Sequence, residues 1–185
     1  MTTTGLPYSA PALRVDDPYP GWLTYAVPFA ATSAVVGVIW DISWHRTIGR
    51  DTFLTPAHLA IYLSGIVAGL SCGWLVLRTT FYGTPDTRAA GVSVWGFRGP
   101  LGAWLCIWGA IAMIASAPFD DWWHNAYGLD VKVLSPPHSL LALGFTAIQL
   151  GALLIALSRQ NRAAHASERQ GLFVAYGMGV LLCNV

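Results

Sequence analysis

Two short stretches of the chain hold the residue types that bind metal ions. The first reads Asp41-Ile42-Ser43-Trp44-His45, then Gly49, Asp51, Thr55-Pro56 and His58. The second reads Asp120-Asp121-Trp122-Trp123-His124, then Gly128, Asp130, Ser135-Pro136 and His138. Both follow one pattern, D-x2-W-H, x3, G, x, D, then S/T-P-x-H, and they differ by one residue in loop length. Asp41 and His45 stand at i and i+4, so on a helical end both side chains leave the same face. His58 returns at the third position of the next helix. Imidazole nitrogen and carboxylate oxygen are donors that suit copper, iron or zinc, and three protein ligands leave a position open for water, oxygen or a substrate. The second copy supplies Asp120, or Asp121 at i+3, with His124 and His138.

A single histidine at a helix end is ordinarily a hydrogen-bonded polar group. Here four of the five histidines fall into two copies of one pattern, each with an acid four residues before the leading histidine. Ionisable groups at membrane depth are rare, costly and usually functional, so the pattern points to metal ligation. Asp51 and Asp130 are read either as acceptors that orient a ligand imidazole or as caps of local turns. Trp44 and Trp123 read as interface anchors, and His165 as a solvated residue.

The elements that must carry these residues follow from charge spacing. Of 185 residues 55% are hydrophobic and 10% charged, against roughly 25% charged in a soluble domain. Residues 18–40, 52–77, 99–119, 133–158 and 170–185 contain no Asp, Glu, Lys or Arg, and a membrane-crossing helix needs about 20 mainly apolar residues. The expectation is an all-α, polytopic integral membrane helical bundle of about five transmembrane helices with an internal repeat. Its spans are placed at 21–40, 56–77, 101–119, 136–157 and 171–185, after an N-terminal segment 1–20, with polar loops at 41–55 and 120–135. Thr55-Pro56 and Ser135-Pro136 read as N-cap and first helical residue. The Gly- and Pro-bearing stretch 78–100 reads as a connecting loop. Gly65, Gly69 and Gly73 read as a close helix-packing face. The last run covers only about 22 Å at 1.5 Å per residue, from which the polypeptide is expected to continue beyond Val185.

A net charge of +1 and the absence of a Lys/Arg cluster exclude a nucleic-acid surface. Cys72, Cys106 and Cys183 are isolated, without CxxC spacing, and read as buried packing residues. Asp16 and Asp17 stand where a signal peptide has its basic and apolar regions, so the first span is expected to be retained. Arg14, Arg78, Arg88, Arg98, Arg159, Arg162 and Arg169 fall on one side, and Arg46, Arg50 and Lys132 on the other. The positive-inside rule then puts the N-terminus in the cytoplasm and both metal loops on the periplasmic side.

The string from Asp41 to His58 resembles the metal-site segment of the C subunit of copper-dependent membrane monooxygenases, the particulate methane and ammonia monooxygenase family. That segment has an Asp, His, His set at the same spacing within a similar W-H-x-T-I-x-R-D-T…T-P-x-H context. The second stretch is similar to the subunit's downstream Asn, His, His segment, with Asp120 where the family has Asn. The resemblance covers roughly Trp40 to Gly144. It implies a copper site at Asp41, His45 and His58, the residues that would carry catalysis, and a second at Asp120, His124 and His138. It also implies A and B subunits as partners in a bacterial inner or intracytoplasmic membrane. The implied reaction is hydroxylation of a small apolar or nitrogenous substrate, in the methane, short-alkane or ammonia class, with oxygen and a reductant. Two alternatives stay open: a non-catalytic copper-handling or assembly protein with the same sites, and bis-histidine haem binding.

Overall fold

The computed structural model describes residues 19–49, 52–128, 135–162 and 168–183. The N-terminal segment 1–18, Asp51, Asp130 and His165 lie outside the described residues. The chain folds as an all-α bundle of α1 (Leu23–Thr47), α2 (Pro56–Tyr82), a short α3 (Pro85–Ala89), α4 (Leu101–Tyr127), α5 (Pro136–Arg162) and α6 (Glu168–Leu182), with a two-stranded hairpin before α4. Four helices, α1, α2, α4 and α5, are long and apolar enough to cross a membrane, which marks an integral membrane protein. The last apolar run forms α6, only 15 residues long.

In sequence order α1 packs on α2, α2 on α4, α4 on α5, and α5 back on α1, while α6 lies against α5 and α1. The arrangement is up-down-up-down. Both copies of the repeat therefore enter and leave the bundle in the same sense, which brings both Asp/His stretches to one end. Small residues line the helix faces turned inward, among them Ala30, Ala34, Ser64, Ala68, Cys72, Ala103 and Cys106, whereas Leu70, Ile39, Ile111 and Leu143 face out. That inversion of the soluble pattern is expected where lipid covers the outside and close packing replaces hydrophobic burial as the adhesive force. Cys72 and Cys106 are buried as packing residues, but Cys183 is exposed.

Three sequence expectations are corrected. The stretches 41–55 and 120–135 are not loops from their first residue: α1 continues through Asp41 and His45 to Thr47, and α4 through Asp120 and His124 to Tyr127. A charge ends an apolar run without ending a helix, and Asp-to-His pairs at i, i+4 support the extra turns. Glycine ends them instead. Gly49 and Gly128 adopt φ of +94° and +93° in the two copies, a conformation that side chains with a Cβ rarely take.

The second correction concerns the tight helix face. Gly73 would meet nothing on gaining a Cβ, Gly65 only ordinary contacts and Gly69 the Ala110 Cβ at 3.1 Å, whereas a Cβ on Gly102 or Gly109 would sit closer still, 2.6 Å or 2.5 Å from the carbonyl oxygens of Gly151 and Gly144. A four-residue repeat drifts about 40° per step around a helix, while a seven-residue repeat drifts about 20°. The 102/109 and 144/151 spacing thus stays on one face, whereas along 65/69/73 only Gly73 has turned away from α4.

Third, residues 78–100 are not a plain loop. α2 runs on to Tyr82, α3 follows, and β1 (Val92–Val94) pairs antiparallel with β2 (Phe97–Gly99) through a two-residue turn at Trp95-Gly96. Both turn residues have positive φ, 49° and 86°, the backbone that matches hairpin twist. Thr80 accepts from Arg98 N–H at 2.8 Å and Trp104 Nε1 donates to Val92 O at 3.2 Å, tying the hairpin to α2 and α4.

Candidate metal centres

Each candidate centre is built from the C-terminal end of one helix and the first turn of the next. In the first, Asp41 Oδ2 lies 3.7 Å from His45 Nε2 along α1, and Asp41 Oδ1 lies 3.1 Å from His58 Nε2 on α2. In the second, Asp120 Oδ2 is 3.4 Å from His124 Nε2 and Asp120 Oδ1 is 3.3 Å from His138 Nε2. Within each trio one ligand atom per residue lies within 4.8 Å of the others. The structure thus brings together all six residues picked out from the sequence, in two groups of three. Asp121 takes a different role, accepting from Asn125 Nδ2 at 3.3 Å, so Asp120 is the acid of the second group.

The donor sets fit a first-row metal ion. Ligands at about 2.0–2.1 Å from a tetrahedral ion stand about 3.3 Å apart, close to the 3.1–3.7 Å carboxylate-to-imidazole separations of the two trios. Asp41 Oδ1 and Asp120 Oδ1 are both shielded from solvent and make no hydrogen bond, although each faces a histidine nitrogen. Each of these oxygens has a histidine nitrogen, at 3.1 or 3.3 Å, to answer its charge, and either a proton on that nitrogen or a cation held between the carboxylate and the imidazoles offsets the cost of shielding it. The same atom is shielded in both copies.

Local structure aims the histidines. His58 Nδ1 lies 3.0 Å from Thr52 O. A proton on Nδ1 donated to that carbonyl leaves the Nε2 lone pair free to ligate. Thr52 is held in turn by Thr55, whose Oγ1 accepts from Thr52 N–H and donates to Thr52 O, each at 2.8 Å. Thr55 is thus the N-cap residue by position with Pro56 at N1, yet its side chain does not cap the helix. It locks the preceding turn. In the second copy Ser135 Oγ accepts from His138 N–H at 3.4 Å, and Gly128 O lies 3.4 Å from His124 Nδ1. The carbonyls of Thr52 and Gly128 went unnoticed in the sequence, because every residue has a carbonyl and only the fold decides which one meets a ring.

A further contact sets the approach of α1 to α2. A Cβ on Gly37, one turn before Asp41, would lie 2.7 Å from Ile61 Cγ1 and 2.9 Å from Ile61 N. Bare backbone at Gly37 lets the helices close beneath the trio. Its counterpart in the second copy is Ser116, also small and 4% exposed. The indole N–H groups of Trp44 and Trp123, beside the leading histidines, are both shielded and make no hydrogen bond. The two centres also differ in access: the His45 side chain is 49% exposed, against 25% for His124.

No protein-family model, no curated protein and no solved structure matches the chain.

Proposed function

We propose that this chain is the metal-holding membrane subunit of a copper-dependent monooxygenase, with Asp41, His45 and His58 forming one copper site and Asp120, His124 and His138 a second. The observation that supports it best is the same Asp, His, His trio, with a shielded carboxylate oxygen facing His Nε2, in both copies, set in a first-copy string that resembles the monooxygenase C subunit. Copper fits an imidazole-rich, three-ligand set, with iron or zinc as the alternative ions. When bound, copper would supply the redox chemistry that activates oxygen. The chain's own residues would hold the ion, and the Thr52 and Gly128 carbonyls, by taking the Nδ1 protons of His58 and His124, leave their Nε2 lone pairs free to ligate. A small apolar substrate or ammonia, oxygen, and A and B subunits complete this reading. The excess of arginine at the opposite bundle end orients the sites toward the periplasm of a bacterial membrane.

The half-exposed His45 favours a second reading, in which the protein hands copper to a partner without turnover. Elemental analysis of the gently purified full chain is the first test, with two copper equivalents expected. His45→Ala or His58→Ala should remove one equivalent while helicity is kept, and unchanged metal in both variants rejects the assignment. Oxygen-dependent hydroxylation by the purified complex separates the readings: metal without turnover supports copper handling. A Soret band would instead indicate haem.

A further inference from the structure

At the bundle end opposite the Asp/His trios, the ends of α2, α4 and α5, α3 with the residues after it, and Tyr19 before α1 line a half-open cavity of about 460 Å³. That volume lies within the range of small-molecule sites. Its polar wall carries Arg162, Asn161, Ser158 and Thr79, and no acidic residue lines it among the described residues. Arg162 Nη1 is shielded from solvent and makes no hydrogen bond. A guanidinium N–H in that state lacks an acceptor, and its planar fork matches phosphate oxygens. The remaining wall includes Leu101, Leu154 and Leu157, aliphatic surface that a free inorganic anion leaves uncovered.

We infer that this cavity is a binding site for an anionic phospholipid, with the headgroup phosphate on Arg162 and the acyl chains over Leu154, Leu157 and Leu101. Such a ligand meets both halves of the wall: the anion answers the unpartnered guanidinium and the chains cover the leucines. The position is also apt, since basic pockets between transmembrane helices at the arginine-rich end are where acidic headgroups bind. Tyr19 closes one side and is held there by its hydroxyl donating to Ser158 Oγ at 3.0 Å. The site is independent of the metal reading, since no residue is shared.

The test titrates the detergent-solubilised full chain with phosphatidylglycerol, phosphatidylcholine and inorganic phosphate, and counts bound molecules by native mass spectrometry. Expected is a retained phosphatidylglycerol preferred over phosphatidylcholine. Arg162→Gln should weaken its retention about fivefold or more, the equivalent of one lost arginine contact with an acidic headgroup. Arg169→Gln is the control: this arginine stacks on Tyr25, with Cζ 5.5 Å from the ring centre, and does not line the cavity. Leu157→Trp fills the cavity without changing charge and should also expel the lipid, which decides the matter if Arg162→Gln fails to fold. Equal losses in Arg162→Gln and Arg169→Gln, or full retention in Leu157→Trp, overturn the site in favour of diffuse surface attraction. Displacement of phosphatidylglycerol by inorganic phosphate overturns the lipid source in favour of a soluble anion.

Discussion

A carboxylate with two oxygens turned to two imidazoles is the smallest unit that repeats in this protein, and its partners decide what it can do. At Asp41 one oxygen is 3.1 Å from His58 Nε2 and the other 3.7 Å from His45 Nε2, a grouping that could hold a cation between its members. Two predictions belong here. Thr55→Val removes the hydroxyl that locks the 52–55 turn and so loosens Thr52 O behind His58. Losses of outer partners of this kind cost about 10–100-fold in metal affinity, and a competitive chelator titration of the first site should read a drop of that size with the second site unchanged. Asp120→Asn keeps an oxygen donor but removes its charge. It should weaken metal binding at the second centre without emptying it, whereas Asp120→Ala should empty it. Unchanged metal content in Asp120→Ala would make Asp120 a bystander.

The trios exist because helices outlast the apolar runs that define them. α1 and α4 each carry their Asp and His on turns beyond the charge-free run and stop at a glycine with positive φ. The partner helix then begins at a proline, with its histidine at the third position. How near the two helices stand depends on Gly37 at the first crossing. Gly37→Leu would drive a side chain into Ile61 and its backbone, where the present clearance for even a Cβ is 2.7 Å. Overpacking of this kind costs about 1–3 kcal/mol. The expected result is a lower unfolding temperature in detergent together with selective loss of metal from the first centre. Normal metal content in a folded Gly37→Leu protein would show that the crossing does not set the Asp41 to His58 distance.

Across the whole molecule, parallel repetition places both trios at one end of the bundle and the hairpin with its arginines at the other. Ile48, beside the first trio, and Ser93, in β1, are both exposed and lie at opposite ends. In a Cys183→Ser background, Ile48→Cys should react with a membrane-impermeant thiol reagent added from the periplasmic side, and Ser93→Cys only after the membrane is opened. The reverse pattern would invert the proposed orientation, and labelling of both from one side would contradict four crossings.

The sequence by itself determined the helical membrane architecture, the internal repeat and five of the six trio residues, leaving the acid of the second trio open between Asp120 and Asp121. Charge scarcity and fixed spacing are one-dimensional signals, and both survive without coordinates. What it misread were the extent of the polar loops, the short hairpin at Val92–Gly99, and the glycine pairs 102/109 and 144/151 that crowd a neighbour most tightly. A three-residue strand is too brief for a period to register, and the crowding of a glycine depends on which helix crosses it. The choice of Asp120 over Asp121, the backing of His58 by the Thr52 carbonyl, and the meeting of Arg162 with a leucine wall were decided only by the tertiary structure. Each joins groups that are indistinguishable from many others along the chain until helix ends are packed side by side.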